Sequence, residues 1–167
     1  DLSDTFPALI DVNEPVLGVE LITNGDFELD SNWANYNTPT VNERSTEQAN
    51  GGTYSRKFTA DGISDGIQGD TFSVTAGKTY KVSLDVYPDD NTQIRVVSRK
   101  GDGSHADEDN SYTSLTQDAW NTLEKTYVAT SSGSGAYIAI LSTLTSGTYY
   151  IDNVTIKEIQ GNVGTMT

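Results

Sequence analysis

With 167 residues, the chain has the length of one domain with short flanks. Ten Lys and Arg against 24 Asp and Glu give a formal charge of −14, which disfavours nucleic-acid backbones and anionic membranes and suits a neutral partner or a divalent cation. The absence of cysteine excludes disulfides, thiolate metal sites and cysteine nucleophiles, and the apolar runs are too short to span a membrane.

Thr, Ser, Gly and Asn make up about two-fifths of the residues, a texture of strands and turns rather than helices. Residues 1–18 lack period-two alternation and hold two of the four prolines; they are expected to be a linker or an N-terminal arm. From Val19 a strand leads to an Asn24–Gly25 turn, with Phe27 pointing inward. Leu29–Gly52 is polar and reads as a long loop carrying Trp33 and Tyr36. Thr53–Ala60 and Ile67–Val74 read as short strands. In Thr79–Tyr87, Tyr80, Val82, Leu84 and Val86 alternate with polar residues. Pro88–Asn91 then reads as a turn, and Thr92–Arg99 as the second strand of a hairpin. Lys100–Asn110 reads as an acidic loop. Strands follow at Trp120–Ala129, Ala136–Leu141 and Thr148–Ile159, with a flexible Ser131–Gly135 turn between the first two. Residues 19–160 are therefore expected to form an all-β, antiparallel jelly-roll sandwich of about eight strands, with 161–167 as a tail.

Five segments, in order, resemble the carbohydrate-binding modules of the family 4/9/22 type. They are ELITNGDFE (Glu20–Glu28) followed by Trp33, GTYSRKF (Gly52–Phe58), FSVTAGKTYKVSLDVY (Phe72–Tyr87), the Trp120–Ala129 strand, and YYIDNVTIKEI (Tyr149–Ile159). The resemblance implies a jelly roll, a structural calcium ion and a sugar cleft on one sheet face. It singles out Glu28 and Asp152 as calcium ligands, completed by carbonyls of the Asn50–Thr53 loop, since Ca²⁺ takes six to eight oxygens. The acidic loop with Asp102, Asp107, Glu108 and Asp109 lacks EF-hand spacing and reads as solvated.

If Val82, Leu84, Ile94, Val96, Ile138 and Ile140 are core, the opposite face carries Asp85, Tyr87, Gln93, Arg95, Arg99 and Tyr137, with Tyr112 walling one end. Tyrosine rings suit the C–H faces of sugars, and the polar groups suit hydroxyls. Against this, Gly66–Gly69 carries no ring where the family often has an aromatic platform. Catalysis finds little support: His105 is the single histidine, and no spacing singles out a carboxylate pair. The expected function is non-catalytic glycan binding that tethers a larger protein or particle to polysaccharide or cell-surface glycan. The flanks suggest neighbouring modules in an extracellular or virion protein, such as a phage component. The alternative is a structural or adhesion spacer without a sugar site.

Overall fold

Every regular element in the computed structural model, which describes residues 15–162, is a β-strand. The strands are β1 (Pro15–Glu20), β2 (Trp33–Tyr36), β3 (Val41–Ser45), β4 (Ser55–Ala60), β5 (Gly66–Gly69), β6 (Phe72–Val74) and β7 (Thr79–Pro88). They continue with β8 (Gln93–Arg99), β9 (Asp107–Ser114), β10 (Asn121–Val128), β11 (Gly133–Ala136), β12 (Ile138–Ser142) and β13 (Gly147–Asn162). One sheet runs β10-β7-β13-β4-β3, and β1 joins the far half of β13 to make it six-stranded. The other runs β2-β5-β12-β8-β9, and β11 pairs with β6 in a small third sheet. All pairings are antiparallel.

The core lies between the two large sheets. Val82, Leu84 and Val86 from β7 and Ile151, Val154 and Ile156 from β13 meet Ile94 and Val96 from β8 and Ile138 and Ile140 from β12. Phe58 stacks on Tyr149 with ring centroids 4.9 Å apart, and Phe27 lies 5.0 Å from Trp33. Phe27 is fully buried although its φ is +54°. The sharp turn at Asn24–Phe27 thus exchanges backbone comfort for burial of a large ring, a side chain worth about 1.5–3 kcal/mol out of water.

The sandwich agrees with the sequence expectation, but the described residues form thirteen strands rather than about eight. The additional strands include β2 and β3, inside the expected Leu29–Gly52 loop, and β9, which overlaps the expected Lys100–Asn110 loop. All three are edge strands. An edge strand meets fewer neighbours and can stay polar, so it carries weak apolar alternation. The expected Thr79–Tyr87/Thr92–Arg99 hairpin does not form. β7 pairs with β10 and β13, whereas β8 pairs with β12 and β9, so the turn after Pro88 crosses from one sheet to the other. Alternation sets which face of a strand is buried; it does not choose the partner strand. Within the expected 1–18 arm, Pro15–Gly18 belong to β1, and residues 1–14 lie outside the described residues; in the expected tail, residues 161–162 end β13.

Truncating Phe58, which is fully buried and stacked on Tyr149, should cost about 3–5 kcal/mol. Urea unfolding of Phe58→Ala measures this; a loss below about 1 kcal/mol would mean that this ring does not occupy the core.

Candidate functional site

Because β7 and β8 belong to opposite sheets, the seven residues expected on one sugar-binding face divide between two. Asp85 and Tyr87 lie on the outer face of the six-stranded sheet. Gln93, Arg95, Arg99, Tyr112 and Tyr137 lie on the outer face of the five-stranded sheet, or just beside it. The phase assignment itself holds, since Tyr80, Val82, Leu84, Val86, Ile94, Val96, Ile138 and Ile140 are buried in the core. The error concerns the grouping of strands into sheets.

On the five-stranded sheet, Tyr36, Gly66, Leu141, Arg95 and Tyr112 are successive cross-strand partners from β2 to β9. At a strand spacing of about 4.8 Å this row spans roughly 19 Å. The adjacent row runs Ala34, Gln68, Ala139, Val97 and Asn110. The middle strands thus present Gly66 and Ala139 beside the larger Leu141, Val97, Gln68 and Arg95. Tyr36 and Tyr112 stand on the edge strands, and the Tyr36 side chain reaches inward to Arg99. Gly66 is required in its row: a Cβ would run into the Ile140 carbonyl. Val97, Ala139, Leu141 and Tyr137 form a second apolar cluster on this face, with Tyr36 packed against it.

Arg99 organises one side of this face. It is ion-paired with Asp107, donates to the His105 carbonyl at 2.6 Å and to the Tyr36 hydroxyl, and lies over the Tyr36 and Tyr137 rings at 5.7 and 5.9 Å. The Tyr137 hydroxyl lies 3.2 Å from His105 Nδ1, and burial raises the pKa of that phenol. Arg95 donates to Ser64 Oγ at 2.9 Å and to the Tyr112 hydroxyl at 3.5 Å, and its guanidinium lies 5.8 Å from the Tyr112 ring. Gln93 sits one row beyond, opposite Ser114. The sequence reading missed Tyr36. Its position two residues from Ala34 and three from Trp33 is a short alternation hidden inside a polar stretch. It stands on the strand beside Gly66–Gly69, the segment that carries no ring.

The other outer face carries the expected metal residues. Asp85 and Asp152 are cross-strand partners on β7 and β13. Asp85 accepts the Asn50 and Asn153 side-chain amides, each at 2.9 Å, and the Thr122 hydroxyl at 2.6 Å. Asp152 accepts the backbone N–H groups of Asn50 and Asn153, each at 2.8 Å. Glu28 accepts those of Thr53 at 2.7 Å and Tyr54 at 3.0 Å. Burial, reinforced by the charges of Asp85 and Glu28 against those N–H donors, pushes the Asp152 carboxyl up to about 6. The N–H groups of Tyr54 and Thr53 hold Glu28 below its usual value. Asp85, expected to meet sugar, therefore clamps the Asn50 loop. Tyr87 is edge-on between Trp120 and Tyr150, at 5.7 and 6.0 Å.

The acids of the expected acidic loop separate. Asp107 pairs with Arg99, Asp109 with Lys125, and Glu108 accepts from Thr130. Among the described residues no group of three or more His, Cys, Asp or Glu converges as a metal site.

A family model described as a carbohydrate binding domain matches residues 19–147, most of the chain. The chain belongs to that family, and its function is the binding of carbohydrate. No curated protein matches it. Among solved structures it is similar to the CBM22-1 xylan-binding domain of Paenibacillus barcinonensis Xyn10C, at 18% identity and a TM-score of 0.65, covering 88% of this chain and 97% of that one. It is similar to the C-terminal family 22 module of Clostridium thermocellum Xyn10B, at 16% identity and a TM-score of 0.63, covering 90% of this chain and 100% of that one. It also resembles TmCBM61, solved with β-1,4-galactotriose, at 15% identity and a TM-score of 0.59, covering 83% of this chain and 98% of that one. These likenesses establish the fold.

Replacing Asp85 by Ala removes the acceptor of three side-chain hydrogen bonds. The donors are exposed or half-buried, so water can replace the lost acceptor, and the expected loss of stability is about 0.5–1.5 kcal/mol, with faster exchange of the Asn50 side-chain amide. Unchanged exchange there would show that Asp85 does not hold the loop.

Proposed function

We propose that the outer face of the five-stranded sheet receives a polysaccharide chain without cleaving it, and so tethers a larger extracellular protein to glycan through neighbouring modules. The observation that carries this reading is the cross-strand row from Tyr36 through Gly66, Leu141 and Arg95 to Tyr112, which sets tyrosine rings and a guanidinium along one sheet face. A polymer lying across the strands meets rings for its C–H faces and N–H and O–H groups for its hydroxyls. The xylan-binding and galactotriose-bound neighbours support a glycan ligand for this fold. Asp107 is tied to Arg99, an arrangement that fixes the guanidinium and leaves that carboxylate poorly placed for acid–base work.

A ring that stacks on a sugar should contribute about one decade of affinity, or about 1.4 kcal/mol. Tyr112→Ala, which truncates an exposed ring, should weaken retention on soluble xylan in affinity electrophoresis about tenfold with little change in melting. Tyr36→Ala should weaken it similarly. Tyr87→Ala, on the opposite face, should leave retention as it is. The reverse pattern would assign the glycan to the six-stranded sheet.

The second part of the reading is a structural calcium ion at Glu28 and Asp152. It is supported by the charge balance of this corner. Glu28, Asp85 and Asp152 all face the Asn50–Thr53 loop, and none is in any of the seven ion pairs of the described residues. A hard divalent cation suits such oxygens, and it would offset the burial, and with it the repulsion from Asp85 and Glu28, that raise the Asp152 pKa. Carbonyls of the loop would complete its shell. A cation bound only by the folded state raises the melting temperature. Excess Ca²⁺ should therefore raise melting relative to EDTA, and Asp152→Ala should abolish the difference. Identical melting of the wild type in both would remove the ion from the account.

A further inference from the structure

In a chain with 24 acidic and ten basic residues, a basic side chain without a carboxylate partner is unusual. Seven of the ten bases are ion-paired: Arg56, Lys57, Lys78, Lys81, Arg99, Lys125 and Lys157. Of the other three, Arg44 lowers the Glu28 pKa and Lys100 that of Asp102 by their charges. Arg95 is in none of the ion pairs of the described residues, and none of its hydrogen bonds there reaches a carboxylate. Its two side-chain hydrogen bonds go to neutral hydroxyls, those of Ser64 and Tyr112, and its Nε–H has no partner. Asp65, next in sequence to Ser64, turns its carboxylate to the Thr38 N–H instead.

We propose that the glycan bound by this face carries a carboxylate, as a uronic-acid residue, and that Arg95 receives it. The inference rests on the polysaccharide reading of the same face and names the class of its ligand. Arg95 is the fourth of the five residues in the Tyr36–Tyr112 row, one strand from Tyr112. A sugar against that ring brings a C5 carboxylate within reach of the guanidinium. A planar fork of N–H donors matches a carboxylate better than it matches a lone hydroxyl. Arg99 cannot serve in this way, because Asp107, the His105 carbonyl and the Tyr36 hydroxyl already occupy it.

The net charge of −14 opposes a polyanion at long range. At physiological ionic strength, however, charges more than about 8 Å away are largely screened. A carboxylate in contact with Arg95 feels chiefly that guanidinium, and the nearby Arg99 charge is offset by Asp107.

The test compares glucuronoxylan with the same polymer after chemical reduction of its carboxyl groups to alcohols, by affinity electrophoresis and calorimetry at 0.15 M salt (physiological strength). The native form should bind about tenfold more tightly. Arg95→Gln should abolish that preference, and Arg95→Lys, which keeps the charge but loses the fork, should restore part of it. Circular dichroism and melting of both variants establish that they fold. If the wild type binds both polymers equally, or if Arg95→Gln keeps the preference, the uronate proposal fails and the polysaccharide reading of the face stands. If the wild type retains neither polymer, the reading of the face fails and the proposal falls with it.

Discussion

All five residues of β12, Ile138–Ser142, are buried. Ile138 and Ile140 face the core, while Ala139 and Leu141 face outward under Tyr36 and Tyr137. A strand buried on both faces has to sit at the centre of a sheet and be covered twice. β5 and β8 flank it, and the sandwich partner covers the inner side. The outer side is covered by the molecule's own aromatic side chains. The same period-two constraint that seals the core therefore lifts Tyr137 to the outer side, and the register across the sheet brings Tyr36, Arg95 and Tyr112 into one row. The face proposed to receive glycan is a consequence of how the core closes.

Charge is distributed unevenly over this frame. The six-stranded sheet gathers Asp85, Asp152 and Glu28 around the Asn50 loop, where backbone and side-chain amides partly offset them. The five-stranded sheet places two guanidinium groups near its centre, one neutralised by Asp107 and one facing only hydroxyls. Acidic groups without ion pairs thus gather in one corner and guanidinium groups on the opposite face, within a single strongly acidic chain.

Strong apolar alternation in β7, β8, β12 and β13 made their buried faces legible in the sequence, and the family motifs made the sandwich legible. The partners of those strands were not. Four residues after Tyr87 fit a hairpin turn as well as a crossing between sheets, and the choice between them depends on long-range burial rather than on the turn. That single ambiguity separates Asp85 and Tyr87 from the other five expected residues, onto the opposite sheet. Tyr36 was hidden because β2 is an edge strand, where polar neighbours are tolerated and alternation fades. Asp152 is legible only through its motif; its carboxyl is raised by burial, with a lesser contribution from its cross-strand partner Asp85, 67 positions earlier in the chain. The environment of Arg95 was likewise illegible, since a residue's lack of a partner is a property of the folded surface.

On the reading proposed above, carbohydrate lies across the strands on the outer face of the five-stranded sheet. Amide chemical-shift mapping during titration with xylo-oligosaccharide tests it most directly. The largest shifts should fall on Tyr36, Gly66, Arg95, Tyr112, Tyr137 and Ala139, with Tyr87, Trp120 and Tyr150 unmoved. Shifts concentrated on Tyr87, Trp120 and Tyr150 would contradict the account and place the ligand on the opposite sheet.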